Sequence, residues 1–289
     1  MDQALEIERA GKVYKGFALR EISFGLPKGY MMGLIGPNGA GKTTLIKMIL
    51  NLVRRDEGSV RVFGLECRTH EKEIKARIGF VPDEPRYHDD VTLADIKAAT
   101  APFYPGWDEA GFEALAGRFG LPMRKKFKTL SHGTKTKFAL ALALSHGAEL
   151  ILLDEPTAGL DPVVRRDLLG LLAEILHGGG VSILFSSHIT SDLEKMADFI
   201  TFLREGRVVL SCPKDDLMET WAVVRGGREM LDADARSFFQ GIRVRAHGFE
   251  ALTSRREEAR RRFGEKVVID RASLDDIMFL MGSEERHAA

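Results

Sequence analysis

Tyr30-Met-Met-Gly-Leu-Ile-Gly-Pro-Asn-Gly-Ala-Gly-Lys-Thr-Thr-Leu45 is the stretch that decides the fold. Tyr30–Ile35 is a near-continuous apolar run, which suits a strand buried on both faces. Gly36-Pro-Asn-Gly-Ala-Gly41-Lys42-Thr43 then matches the eight-residue phosphate-loop pattern in full, and Gly41–Leu52 reads as a helix. A strand before and a helix after are the context this motif requires. Its glycines let backbone N–H groups turn inward around phosphates, and the helix N-terminus adds partial positive charge. Lys42 can reach the outer phosphates, and the Thr43 hydroxyl can ligate Mg²⁺. The loop residues expected to touch a nucleotide are Gly36, Pro37, Asn38, Gly39, Ala40, Gly41, Lys42, Thr43 and Thr44.

Outward from this loop, a second apolar strand, Ile151-Leu-Leu-Asp154, delivers a carboxylate. Ligands of open α/β sheets bind at the carboxyl ends of the strands, so Asp154 and Thr43 should converge. Asp154 would hold Mg²⁺. Glu155, one residue on, projects differently and is the natural general base for an attacking water. Further strands are expected at Ser59–Phe63, Ile78–Val81, Leu150–Leu153, Ser182–Ser186 and Phe199–Leu203. Helical patterns lie between the last four, at Leu93–Thr100, Glu109–Phe119, Lys135–Leu144 and Val164–Leu176. Buried strands alternating with helices indicate a mostly parallel α/β sheet. Leu5–Arg9 and Leu19–Phe24 alternate apolar and polar residues and read as antiparallel strands. Residues from about 86 to 145 are mainly helical and read as an inserted subdomain. Beyond Pro213 the pattern changes to short strands at Trp221–Arg225, Ile242–Ala246 and Lys266–Asp270, with helices at Thr253–Phe263 and Leu274–Met281. The expected division is therefore 1–212 and a small α/β appendage at 213–289.

Composition narrows the partners. The 289 residues carry 42 basic and 42 acidic side chains, so no overall charge favours nucleic acid, and none is expected. The two cysteines, Cys67 and Cys212, form no CxxC pair and fit reduced thiols rather than a disulfide or zinc site. The N-terminus lacks the basic start and apolar run of a signal peptide. No apolar run approaches the roughly 18 residues of a membrane helix, so the expectation is a soluble, cytoplasmic chain whose membrane role requires a partner.

With these residues in place, the chain resembles the nucleotide-binding subunits of ATP-binding-cassette (ABC) transporters. The phosphate loop, Leu130-Ser-His-Gly-Thr134, Leu152-Leu-Asp-Glu-Pro156, Gly159-Leu-Asp-Pro162 and His188 after Ile183-Leu-Phe-Ser-Ser occur in the family's order. The resemblance covers about residues 3–220. It implies a P-loop NTPase core with a mostly parallel sheet, an antiparallel β subdomain, the inserted helical subdomain and the C-terminal appendage. It also implies ATP and Mg²⁺ as ligands, and separate transmembrane permease subunits as partners. A second cassette, identical or different, would cover the ATP bound at the first. The helix Lys135–His146 and the Ser273–Met278 ending are similar to subunits of antimicrobial-peptide or antibiotic exporters.

Residue by residue, the resemblance makes Tyr14 the adenine-stacking aromatic, though a half-buried strand tyrosine is the plainer alternative. Ser131 and Gly133 would face the γ-phosphate of the opposite cassette, and a helix N-terminus suits that task. Asp161 would link the two sites across the dimer. His188 would contact the γ-phosphate, beside Glu155 and Lys42 as catalytic groups. Two positions depart from the family. Its signature reads Leu-Ser-Gly-Gly-Gln, whereas His132 and Thr134 stand here. The glutamine expected after Phe80-Val-Pro is Asp83, which can accept hydrogen bonds or ligate Mg²⁺ but loses the amide donor. These departures bear on rate, dimerisation and coupling, not on ATP binding. The region from Asp83 through Tyr87 towards Tyr104 would receive a permease helix, and its aromatics would equally suit the subdomain core. Two other readings stay open: a ribosome- or DNA-acting cassette, which usually carries two cassettes or a long coiled coil, and a regulator with little hydrolysis.

Overall fold

The computed structural model describes residues 2–281, which divide into two compact units between Ser211 and Cys212. In chain order the first unit runs β1 (Gln3–Tyr14), β2 (Phe17–Pro27), β3 (Met31–Ile35), α1 (Lys42–Ile49), β4 (Glu57–Val62), β5 (Leu65–Glu66), α2 (Glu71–Ala76) and β6 (Ile78–Val81). It continues through α3 (Leu93–Thr100), α4 (Glu109–Arg118), α5 (His132–Leu144), β7 (Leu150–Asp154), α6 (Pro162–His177), β8 (Ser182–Ser187), α7 (Thr190–Met196), β9 (Phe199–Arg204) and β10 (Arg207–Pro213).

Ten strands make two sheets. One has the order β2-β1-β4-β5 and is antiparallel throughout; the other has the order β10-β9-β3-β8-β7-β6. Within the second, β9, β3, β8, β7 and β6 are mutually parallel. Only a two-residue connection joins β9 to β10, which an antiparallel pair alone permits. Strands β3, β7 and β8 are buried along their whole lengths. Strands covered on both faces are mainly apolar, and Asp154, Ser182, Ser186 and Ser187 are the buried polar exceptions. The expected strand at Ser59–Phe63 forms as β4, yet it joins the antiparallel sheet, pairing with β1.

The stretch between β6 and β7 is helical and has its own core, centred on Leu93, Phe112, Phe127 and Phe138. Each of its three α-helices starts on a side chain that satisfies an orphan N–H. Thr92 and Asp95 form a capping box at α3, Asp108 accepts from Gly111 N at α4, and Ser131 accepts from Thr134 N at α5. Ser131 thus starts α5 three residues earlier than the apolar periodicity alone indicates.

The second unit comprises α8 (Lys214–Thr220), β11 (Ala222–Gly226), α9 (Ala233–Phe238), β12 (Gly241–Arg245), β13 (Gly248–Thr253), α10 (Arg256–Phe263), β14 (Val268–Arg271) and α11 (Leu274–Met281). Its antiparallel sheet has the order β12-β13-β11-β14, packed through Val224, Phe238, Phe249, Ala251 and Phe263. The helix expected from Thr253 begins instead at Arg256. Thr253 pairs with Ala222 as the end of β13, a central strand that the sequence did not announce. Glu250 and Ala251 are poor strand formers, and pairing on both sides overrides them.

Candidate active site

Register brings the site together. In the parallel sheet Ile35 lies beside Ser187, Asp154 beside Ser186, and Val81 beside Leu153. The residues that follow each strand therefore emerge at one edge: the phosphate loop from β3, Glu155 from β7, His188 from β8 and Asp83 from β6. This is where ligands of open α/β sheets bind. Gly36 is closed to any side chain, because a Cβ there would meet Leu203 O at 2.2 Å. Gly41 sits at φ 108°, a left-handed backbone that begins α1.

Lys42 is buried in the mouth of the loop, and its ammonium donates to Gly36 O at 2.8 Å. It also lies 3.1 Å from Glu155 Oε1. The other carboxylate oxygen, Oε2, accepts the backbone N–H of His188 at 3.2 Å and stands 2.7 Å from His188 Nδ1. A carboxylate only accepts, so Nδ1 carries the proton of that bond. Both oxygens of Glu155 are thus occupied, one by the Lys42 ammonium and the other by His188. The backbone at Glu155 is left-handed, φ 48°, an uncommon conformation for a residue with a Cβ. Asp154 is 2% exposed. Its Oδ1 accepts from Ser186 Oγ at 2.7 Å.

Asp83 joins this edge from β6. Its carboxyl is held above the ordinary range, by partial burial first and then by the charges of Asp154, Glu155 and Glu84, while His132 pulls it the other way. Thr43 and Thr44 stand at the start of α1, and Pro37, Asn38 and Gly39 are exposed. Ala40 is buried, and its carbonyl accepts from Gly206 N at 3.1 Å, tying the loop to the β9–β10 turn. Tyr14 is exposed and lines a cleft of about 490 Å³ with Phe17, Arg20, Gly39 and Glu205. Asp56 steadies this strand end by accepting Val13 N at 2.9 Å and Lys12 Nζ at 2.7 Å.

Ser131, Gly133 and Asp161 form a second group. A Cβ placed on Gly133 would lie 3.3 Å from Val164 Cγ1 and 3.5 Å from Leu160 Cδ2, so the α5 N-terminus adjoins the loop before α6. Ser131 and Asp161 are both exposed. Asp161 caps α6 by accepting from Val163 N and Val164 N. A cleft of about 650 Å³, lined by Glu84, Arg86, Tyr87, Asp89, His132 and Lys135, opens beside α5. Tyr87 lines this cleft and also packs edge-on against Phe127 at 5.2 Å. Tyr104 instead stacks on His146, with ring centroids 4.0 Å apart.

The family model described as "ABC transporter" matches residues 19–158. "ABC transporter ATP-binding protein YtrB" of Bacillus subtilis (strain 168) is 32% identical over 222 residues, 76% of each chain. "Lantibiotic transport ATP-binding protein SrtF" of Streptococcus pyogenes is 35% identical over 210 residues, 71% of this chain and 89% of that one. This chain belongs to the ABC transporter ATP-binding proteins. A solved structure, "Structure of ATP binding subunit of ABC transporter", superposes with a TM-score of 0.68 at 29% identity, covering 75% of this chain and 92% of that one. "Bacitracin transport ATP-binding protein BcrA" of Enterococcus faecalis is 34% identical over 212 residues, 72% of this chain and 69% of that one. As an ABC ATP-binding subunit the protein binds and hydrolyses ATP to power transport, and it works with transmembrane permease subunits. Among its described residues no helix is long and apolar enough to cross a membrane.

Two groups of this ABC subunit were not singled out from sequence. Ser186, fully buried, bridges Asp154 and the Glu155 backbone. Asp192, 3% exposed, accepts from Thr157 Oγ1 at 2.9 Å and from Arg165 Nη2 at 2.7 Å, bracing the loop before α6 against α7. Hydroxyls and a carboxylate were the available signal, but the partners of Ser186 and Asp192 lie 27 to 35 residues away.

Proposed function

We propose that this subunit binds Mg²⁺–ATP at Gly36–Thr44, closes with a second cassette over the nucleotide, and drives export through separate membrane subunits. The supporting observation is the arrangement of its two polar groups. Lys42, Asp154, Glu155 and His188 converge at the strand ends, while Ser131 and Asp161 are exposed where α5 and α6 begin, and Gly133 lies against Leu160 and Val164 beside Asp161. A second chain presenting those three would complete the site.

In this reading Glu155 takes a proton from the water that bonds to the γ-phosphorus as the β–γ bridging P–O bond breaks. Lys42 and His188 hold the negative charge of the outer phosphates. Because Lys42 is paired with Glu155 before nucleotide arrives, the incoming triphosphate draws the ammonium away and releases one oxygen of the base. Tyr14 offers its ring face to adenine, and Asp161 reaches across the dimer. Thr43, Asp154 and Asp83 are hard oxygen donors suited to Mg²⁺. Among the described residues no group of three or more His, Cys, Asp or Glu could hold a metal by itself. That fits an ion held through one or two carboxylates and the substrate phosphates. Bound there, Mg²⁺ would neutralise charge on the β- and γ-phosphates.

The ATP-binding domain is assigned to residues 1–212 and an accessory region to 213–289. With permease partners, the subunit would work at the cytoplasmic face of the membrane. The names of the bacitracin and lantibiotic relatives support export of an antibiotic or antimicrobial peptide. Glu155→Gln tests the reading. Turnover should fall by about 10²–10⁴, and ATP should convert the variant from monomer to dimer in analytical ultracentrifugation. A variant that stays monomeric at saturating Mg²⁺–ATP removes the two-cassette mechanism.

A further inference from the structure

We propose that Ser186 is a positioning residue that presets the two acidic side chains of the site through one hydroxyl. The inference rests on the reading of Asp154 as the Mg²⁺-holding carboxylate. Ser186 lies directly beside Asp154 in the parallel register of β7 and β8, and it is fully buried. Its Oγ is 2.7 Å from Asp154 Oδ1 and 3.1 Å from Glu155 N. The direction of both bonds is fixed by chemistry. A carboxylate offers no proton, so the hydroxyl proton must go to Asp154, and an Oγ lone pair then faces the Glu155 amide.

Two consequences follow. Asp154 spends Oδ1 on the protein, which orients its second oxygen as the one offered to a cation. Metal-binding carboxylates are commonly held this way, and loss of such an outer partner costs about 10–100-fold in metal affinity or activity. Glu155, meanwhile, is held in its left-handed backbone by Ser186 at two points, the side-chain Oγ and the backbone carbonyl, each 3.1 Å from its N–H. A single neighbouring-strand residue therefore sets the angle between the cation-holding carboxylate and the base. Because the site is buried, bulk water cannot substitute for the lost hydroxyl.

Ser187 supplies the control. It is equally buried, but its hydroxyl accepts from Ile189 N at 2.9 Å and does not touch Asp154. The test is a Mn²⁺ titration followed by electron paramagnetic resonance, with ADP present, on the wild-type chain, Ser186→Ala and Ser187→Ala. Ser186→Ala should weaken Mn²⁺ binding by about 10–100-fold while metal-free ADP, measured in EDTA, binds unchanged. Its ATPase kcat should fall with little change in KM. Ser187→Ala should keep wild-type Mn²⁺ affinity. Wild-type Mn²⁺ affinity in Ser186→Ala, or an equal loss in Ser187→Ala, overturns the proposal while leaving the Mg²⁺ reading intact. A wild-type chain that binds no Mn²⁺ with ADP removes the Mg²⁺ reading of Asp154, and the role of Ser186 with it.

Discussion

Replacing Glu155 by glutamine should tighten the binding of metal-free ADP, because Lys42 would no longer be tied to a carboxylate. The two charges are 3.1 Å apart, with side chains 6% and 11% exposed. At an effective dielectric constant of about 20, the Coulomb attraction is roughly 332/(20 × 3.1), or about 5 kcal/mol. Burial of both ions offsets most of this, leaving a net worth near that of a charge-assisted hydrogen bond, about 1.5–3 kcal/mol. Glutamine keeps a carbonyl that can still accept from Lys42, so the variant forfeits only about 1 kcal/mol. A diphosphate that captures the ammonium is then relieved of that cost, which corresponds to about fivefold tighter binding. Isothermal titration calorimetry of ADP in EDTA, at protein concentrations where the chain is monomeric, reads this directly. The gain should vanish in a Lys42→Ala background, since the cycle isolates the pair. Equal or weaker ADP binding by Glu155→Gln, or a gain that survives Lys42→Ala, would refute the idea that Lys42 is held by the base before nucleotide arrives.

Other substitutions probe the remaining parts. Tyr14→Ala should weaken ATP by about 1–3 kcal/mol, the worth of an aromatic stack on a base, while Tyr14→Phe binds as the wild type does; equal affinity in all three would mean that adenine lies elsewhere. Phe138→Ala should lower unfolding free energy by about 3–5 kcal/mol in denaturant titration, since Phe138 is fully buried against Phe112 at a ring distance of 6.4 Å. A loss under 1 kcal/mol would contradict the packing of the helical subdomain. His146 is buried under Tyr104, and burial pushes its imidazole below the ordinary value. The unfolded chain therefore takes up this proton first, so stability is full above the ordinary imidazole value of about 6.5 and falls as pH drops below it, by no more than about 1.4 kcal/mol per pH unit. His146→Phe, which keeps the stack, should flatten the stability profile between pH 7 and 5. An unchanged slope would place the titrating group elsewhere.

The sequence by itself determined the fold class and most of the candidate residues that the strand ends bring together. A phosphate loop needs particular residues in consecutive order, because one turn and one helix N-terminus make it, so Gly36–Thr43 was legible without coordinates. Apolar runs of five or six residues likewise mark strands buried on both faces, and they predicted that Asp154 and His188 would emerge where β3 ends. Element limits shifted where a side chain caps a helix, as Ser131 does, or where sheet pairing overrides propensity, as in β13. The tertiary structure alone decided what each charge is bonded to. Lys42 holds Glu155 across 113 positions of chain, and Ser186 holds Asp154 from a neighbouring strand. Such contacts depend on strand order and register, which pair residues distant in sequence and leave no local periodicity to read.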